Sequence, residues 1–285
     1  MLFIIGLFVV VGSVIGGYVM HHGELSLLYQ PNELLIIIGA GIGATIIGNS
    51  LDLIKETLVS LKYLFKVRHK SKNEYLELLS LAFNVFKFIK VKGMLAIEAH
   101  IENPQDSDLF RKAPSFAKDK KAMDFFRDYL RLITMGVDPH QFEALLDRDI
   151  EIYEHECLAP SRIITALGDS LPALGIVAAV LGVIVTMRSI TEPPSVLGSL
   201  IAAALVGTFT GILFAYGLFN PVGNYLKNYA EQKIMFITCL KAGLVSHLSG
   251  NAPIITVEFM RKNIPENLRP DFYETDKYIN NAKVE

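Results

Sequence analysis

The sequence predicts an all-α, polytopic membrane protein with four transmembrane helices and a helical cytoplasmic domain. Three observations carry that prediction. Mean hydropathy is +0.37, with 51% hydrophobic and 20% charged residues among 285. The charged share is close to that of soluble domains, so the apolar surplus must be gathered in blocks. Four such blocks occur, each long enough for a hydrocarbon core of ~30 Å. The basic residues also divide unevenly between the segments that join them.

The first block, Met1 to Met20, holds no Asp, Glu, Lys or Arg. A cleaved signal peptide would need a basic start and a small-residue site. Neither is present, because the run ends Tyr18-Val19-Met20-His21, so it reads as an uncleaved span. The second block is Leu34 to Leu51, between Glu33 and Asp52. The third is Ser170 to Met187, between Asp169 and Arg188. The fourth lies within the uncharged stretch after Pro193-Pro194 and is placed at Leu197 to Phe219. Glycines such as Gly39, Gly41, Gly43 and Gly48 would weaken a soluble core helix but are tolerated in membranes.

Charge sets the orientation. Of 27 Lys and Arg, 18 lie between Asp52 and Gly168, eight follow Leu226, one lies in Arg188 to Val196, and none lies in His21 to Glu33. Basic loops stay inside. Lys55, Lys62, Lys66 and Arg68, nearest the second span, give the same sign. Both short loops are then outside and both termini cytoplasmic. The chain divides into 1–51 (spans one and two), 52–168 (cytoplasmic helical domain), 169–220 (spans three and four) and 221–285 (cytoplasmic helix and tail).

The large loop is helical in pattern. Tyr75, Leu78, Leu79, Ala82, Phe83 and Phe86 recur at helical spacing, and Phe125, Tyr129 and Leu132 continue such a face. Asn103-Pro104 and Ala113-Pro114 break it. Asp138-Pro139 predicts a capped helix start. Val222 to Leu248 predicts another helix, and residues from Asn263 read as loosely ordered.

Span three aligns Pro172, Gly175, Ala179, Gly182 and Thr186 on one face; span four aligns Ala204, Thr208, Gly211 and Ala215. Small faces let helices approach closely. They fit either packing within the chain or a groove for another helix. No Asp, Glu, His, Lys or Arg lies in the middle of a span; only hydroxyls occur there, on Thr45, Thr186, Thr208, Thr210 and Tyr216. A titrating group is the usual mark of an ion relay. The chain is therefore not a transporter by itself, or a partner supplies that group. Pro172 and Pro221 sit near the inner ends of spans three and four, as helix ends or as hinges.

The stretch Gly168-Asp169-Ser170-Leu171-Pro172-Ala173-Leu174-Gly175 to Gly182 resembles the third span of the MotA family of flagellar stator subunits. Ala204-Leu205-Val206-Gly207-Thr208-Phe209 to Asn220-Pro221 resembles its fourth. Gly93 to Pro104, Pro31 to Ile37, and Ala252-Pro253 to Phe259 extend the likeness over almost the whole chain. The resemblance implies a stator subunit in the bacterial inner membrane. It implies a MotB-like single-span peptidoglycan-binding partner whose membrane aspartate takes the ion. It also implies a homo-oligomer, a pentamer around two partner helices, that pushes a rotor switch protein of the flagellar C-ring. By the same likeness Lys90 and Glu98 are the torque-bearing charges, with lysine where many members have arginine. Asp149 falls near a further acidic position. Pro172 and Pro221 match hinge prolines, and Thr208 matches a channel threonine. Ala179 stands where sodium-driven relatives carry threonine. Gly175, Ala179, Gly182, Thr186, Thr208, Gly211 and Tyr216 form the implied partner-facing ion pathway. Without the resemblance, Lys90 and Glu98 are an ordinary solvated helix face.

Small apolar lining suits a proton, because a dehydrated sodium ion needs several oxygen ligands, so the transported ion is expected to be H+ with no cofactor. The alternative is an ExbB/TolQ-type motor subunit that energises an outer-membrane process; those relatives have three spans. A purely structural scaffold would not need Thr208. No nucleophile–base set, phosphate loop or metal spacing points to an enzyme, and His21-His22 lack a third ligand. Cys157 and Cys239 are too few for a disulfide framework. A net charge of −2 gives no argument for nucleic acid.

Overall fold

The structure, a computed structural model, describes residues 2–66 and 70–281. Met1 of the first apolar block and Arg68 of the basic set lie outside the described residues. No strand occurs among the described residues. The helices are α1 (Leu2–Met20), α2 (Leu25–Leu28), α3 (Pro31–Gly48), α4 (Leu51–Leu61), α5 (Tyr63–Lys66) and α6 (Lys72–Lys92). A 3-10 turn, Met94–Ile97, leads into α7 (Glu98–Glu102), α8 (Asp108–Arg111), α9 (Pro114–Ala117) and α10 (Lys120–Thr134). Then follow α11 (Pro139–Met187), α12 (Pro194–Phe214), a π turn (Ala215–Phe219), α13 (Asn220–Leu248), α14 (Pro253–Lys262) and α15 (Phe272–Asn281). Four helical stretches are long and apolar enough to cross a membrane: Phe3–Met20, Leu25–Gly48, Pro139–Met187 and Pro194–Leu248.

Two compact units result. The first comprises Met1–Val67 and Leu158–Tyr229, the second Arg68–Cys157 and Ala230–Glu285. In the first unit most large side chains of α1, α3, α11 and α12 are exposed, as a lipid-facing surface requires. Its interior is small: Ile37, Leu171, Ala178 and Ala215 form one cluster, and Leu64, Ile164, Val222 and Leu226 another.

Four boundaries in this unit differ from those read in the sequence, among them the start of the fourth span, at Pro194 rather than Leu197. The second span ends at Gly48 rather than Leu51, because Ser50 accepts Leu53 N–H and starts α4 as a new helix. It begins at Pro31, which draws Glu33 into its first turn. The third apolar block is the last part of a 49-residue helix that contains Pro160 and Pro172. Neither proline ends it.

The second unit has a conventional core. Tyr75, Leu78, Leu79, Ala82 and Phe86 of α6 pack with Phe126 and Leu130 of α10 and with Phe236 and Leu240. Each fully buried Leu or Phe among them contributes roughly 1.5–3 kcal/mol. Ser71 and Glu74 form a reciprocal capping box at the start of α6. Gly93, at φ +86°, stops it, a backbone angle that side chains resist. Asp138 accepts from the backbone of His140 and Gln141 and begins α11 as its sequence predicts.

From Asn263 to Asn281 the tail is ordered rather than loose. Asp271 caps α15, Arg261 donates to Pro270 O at 3.0 Å, and Ile264, Thr275 and Ile279 are buried. α15 lies against α6, where Lys72 pairs with Glu274. Ile264, Leu268, Phe272, Tyr273, Tyr278 and Ile279 are scattered among polar residues and prolines, without a long periodic run to reveal this in advance.

His247 stacks on Phe86 with ring centroids 4.4 Å apart, and burial holds its imidazole down to about 4. Protonation therefore favours the unfolded chain. Stability should be full above about pH 6.5 and fall by up to about 3 kcal/mol as the pH drops toward 4. Thermal unfolding of the detergent-purified chain checks this. His247→Phe, which keeps the stacked ring, should flatten the slope in that window.

Candidate functional site

The two small-residue faces meet each other. A Cβ on Gly175 would lie 2.9 Å from Gly207 O, 3.2 Å from Thr208 Cα and 3.3 Å from Gly211 Cα. One on Gly211 would lie 2.5 Å from Leu171 O and 3.0 Å from Gly175 Cα. Helices α11 and α12 thus cross in backbone contact, which only residues without a side chain permit. The sequence reading turned Gly175, Gly182 and Gly211 toward a partner; in the structure they face the neighbouring helix of the same chain.

Around this seam the other expected residues separate. Ala178 and Ala204 are buried in it, while Ala179 and Thr208 lie half-buried at its side. Thr186 is buried and donates to Gly182 O at 2.9 Å. Its hydroxyl is thus tied to its own helix. Tyr216 is 66% exposed.

The two prolines come together near the other end of the seam. Pro221 cannot donate an N–H, and its ring crowds the carbonyl of Gly217 four residues back. The chain widens there into the π turn Ala215–Phe219, whose register Asn220 N–H closes onto Ala215 O. On α11, Pro172 frees the carbonyl of Gly168. Gly168 abuts Phe219 and the Asn220 side chain so closely that a Cβ could not be accommodated. Asn220 donates to Asp169 at 2.9 Å, binding one weakened helix to the other. Hinges were expected from the prolines. The π turn and the Asp169–Asn220 bond carry no sequence signal that marks them.

No ionisable residue lies in the middle of a span, but one carboxylate at the start of α3 reaches the α11–α12 seam. Glu33 is only 9% exposed. Its Oε2 is 2.9 Å from the Cβ position on Gly207, and its Oε1 is 3.5 Å from that on Gly182. Among the described residues Oε2 has no hydrogen-bond partner. The sequence reading set Glu33 just outside the second span; the start of α3 at Pro31 carries it in.

In the second unit Lys90 lies in the last turn of α6 and Glu98 opens α7. Both are exposed, and among the described residues neither takes part in an ion pair. Between them stand two exposed apolar residues, Val91 at 69% and Leu95 at 76%. Beside them is a cleft of about 270 Å³ lined by Lys87, Phe88, Lys92 and His100 among others. Asp149 is different: it accepts from Tyr129 Oη at 3.2 Å and is half-buried. Burial first, and then Asp149, hold the Tyr129 phenol well above its ordinary range. Among the described residues no cluster of three or more His, Cys, Asp or Glu could hold a metal.

Comparison with known proteins places these features in context. Residues 4–93 match the family described as Motility protein A N-terminal, and residues 117–238 match the MotA/TolQ/ExbB proton channel family. The chain is 44% identical to Motility protein A of Salmonella typhimurium over 280 residues, 98% of this chain and 95% of that one. It is 43% identical to Motility protein A of Escherichia coli over 284 residues, 99% of this chain and 96% of the relative. The MotAB stator complex from Bacillus subtilis aligns with TM-score 0.73 and 26% identity, covering 93% of this chain and 96% of that chain. The C. jejuni MotAB structure has the same fold, with TM-score 0.76 and 18% identity over 93% and 96% of the two chains.

The seam yields a contrast. Gly211→Val should destabilise the first unit by about 1–3 kcal/mol, the cost of overpacking a filled contact. Gly43→Ala, whose Cβ would meet nothing within 4 Å, should be neutral. Thermal unfolding in detergent reads both.

Proposed function

The chain belongs to the Motility protein A family, and on that footing we propose that it is a stator subunit of a flagellar motor that passes protons together with a MotB-type partner. Several copies assemble around the membrane helices of that partner, as a pentamer around two. The short loops lie outside and both termini inside the cell, an orientation that the distribution of basic residues supports. The partner provides the central titrating carboxylate, and α11 and α12 provide the wall beside which the ion moves.

The observation that carries this reading is the position of Thr208. It is packed backbone to backbone on Gly175, which fixes it, and it remains half-buried at the margin of the seam. A hydroxyl held there can order water or a proton for a neighbouring helix. Ala179, at the same margin, offers no oxygen ligand, which favours a proton over sodium. The second part of the reading is mechanical. Pro172, Pro221 and the π turn weaken α11 and α12–α13 at one place, where Asn220 links them. Protonation in the membrane would shift this paired hinge. Lys90 and Glu98, flanked by Val91 and Leu95, would then press on an oppositely charged rotor surface. The ExbB/TolQ-type alternative is disfavoured by four candidate spans and by near-complete coverage of the Motility protein A relatives.

Three outcomes test it. Thr208→Leu should abolish swimming while the complex still assembles in membranes; normal swimming removes the channel role. Glu98→Lys should lower torque at high load and be partly restored by a compensating rotor charge. Swimming should survive sodium removal and stop with a protonophore, whereas sodium-dependent speed reassigns the ion.

A further inference from the structure

Glu33 occupies a built notch. Gly182 and Gly207 form its walls, with Ala178 and Ala204 behind them. A Cβ on Gly207 would press into Oε2, and one on Gly182 would collide with Ala204 Cβ at 2.7 Å. The glycines therefore seat a carboxyl group as well as bringing two helices together. An apolar notch without a counter-charge disfavours an ionised carboxylate. No counter-charge is supplied by the elements that enclose it. Helices α2 and α12, α3 apart from Glu33 itself, and residues 170–187 of α11 contain no other Asp, Glu, His, Lys or Arg. The charged and titratable groups in the loops at this end, His21, His22, Glu24, Arg188 and Glu192, are all exposed.

One feature favours the charged form. Glu33 lies in the first turn of α3, where free backbone N–H groups attract an anion. The carboxyl group thus sits between an apolar notch and the positive end of a helix.

We propose that Glu33 is a proton-binding site on this chain, at the outer mouth of the pathway, which takes a proton from the external water and passes it inward along the α11–α12 seam. This rests on the proton-conducting reading above. In the first step a Glu33 carboxylate oxygen forms an O–H bond with a proton from hydronium, releasing water. In the second that O–H bond breaks as the proton moves to the partner's titrating carboxylate, which forms the new O–H bond, and the Glu33 carboxylate is restored. The notch offers a sodium ion too few oxygens, since its walls are glycine and alanine and the Thr186 hydroxyl is bonded to Gly182 O.

The test uses the complete complex with its MotB-type partner in vesicles loaded with a pH dye under an imposed potential. Wild-type vesicles should take up protons. Glu33→Gln keeps the shape but cannot release a proton, and uptake should fall by about a hundredfold, the lower range for a positioned proton-transfer group. Glu33→Asp should recover part of it. Wild-type uptake by Glu33→Gln overturns the relay and leaves the conducting reading intact. No uptake by wild type overturns both. If Glu33→Gln does not assemble, dicyclohexylcarbodiimide decides the matter on wild type, since it modifies protonated carboxyls in apolar surroundings. Peptide mass spectrometry should find Glu33 modified in step with lost uptake; an unmodified Glu33 overturns the site.

Discussion

The backbone contact between α11 and α12 is the constraint on which the membrane unit rests. In lipid, helices gain nothing from the hydrophobic effect when they associate, so close packing must hold them. Gly175, Gly207 and Gly211 supply that packing by letting main chain touch main chain. The contact sets Thr208 and Ala179 at the margin of the seam. It also leaves room for Glu33 near one end and brings the two proline-weakened turns together near the other. A single side chain added at Gly211 would disturb all three.

The two ends of the seam differ in chemistry. At the Glu33 end the walls are smooth and apolar, and a carboxyl group is the one reactive element. At the Asn220 end the helices are irregular and joined by a polar bond. A buried Asn220 Oδ1 without a hydrogen-bond partner adds to the latter. Such a junction is less rigid than a continuous helix pair, since a π turn and two prolines each remove regular backbone bonds. The carboxyl-bearing notch and the irregular junction thus lie at separate points of one helix pair.

Much of the architecture was legible because it follows from periodicity and charge. Uncharged runs of membrane length, the Asp138-Pro139 helix start and the apolar stripe of α6 each have one physical interpretation. The site was legible only in part. Small residues at helical spacing show that something packs closely, but not what. The structure shows that the two faces pack on each other. Glu33 was missed because a two- or three-residue shift at a helix start decides whether a flanking acid is outside or inside. The π turn was missed because its cause, Pro221, is equally compatible with a helix end. The ordered tail was missed because its burial depends on α6, some 200 residues earlier in the chain. Lys90 and Glu98 gained meaning from the resemblance and, in the structure, from the exposed Val91 and Leu95 beside them.

The most direct measurement is an electron cryomicroscopy map of the complete complex embedded in lipid, detailed enough to trace glycine backbones. The account predicts Gly175 and Gly211 of one chain in van der Waals contact, with the Glu33 side chain in the notch between Gly182 and Gly207. A partner helix or lipid lying between α11 and α12 of the same chain would contradict it.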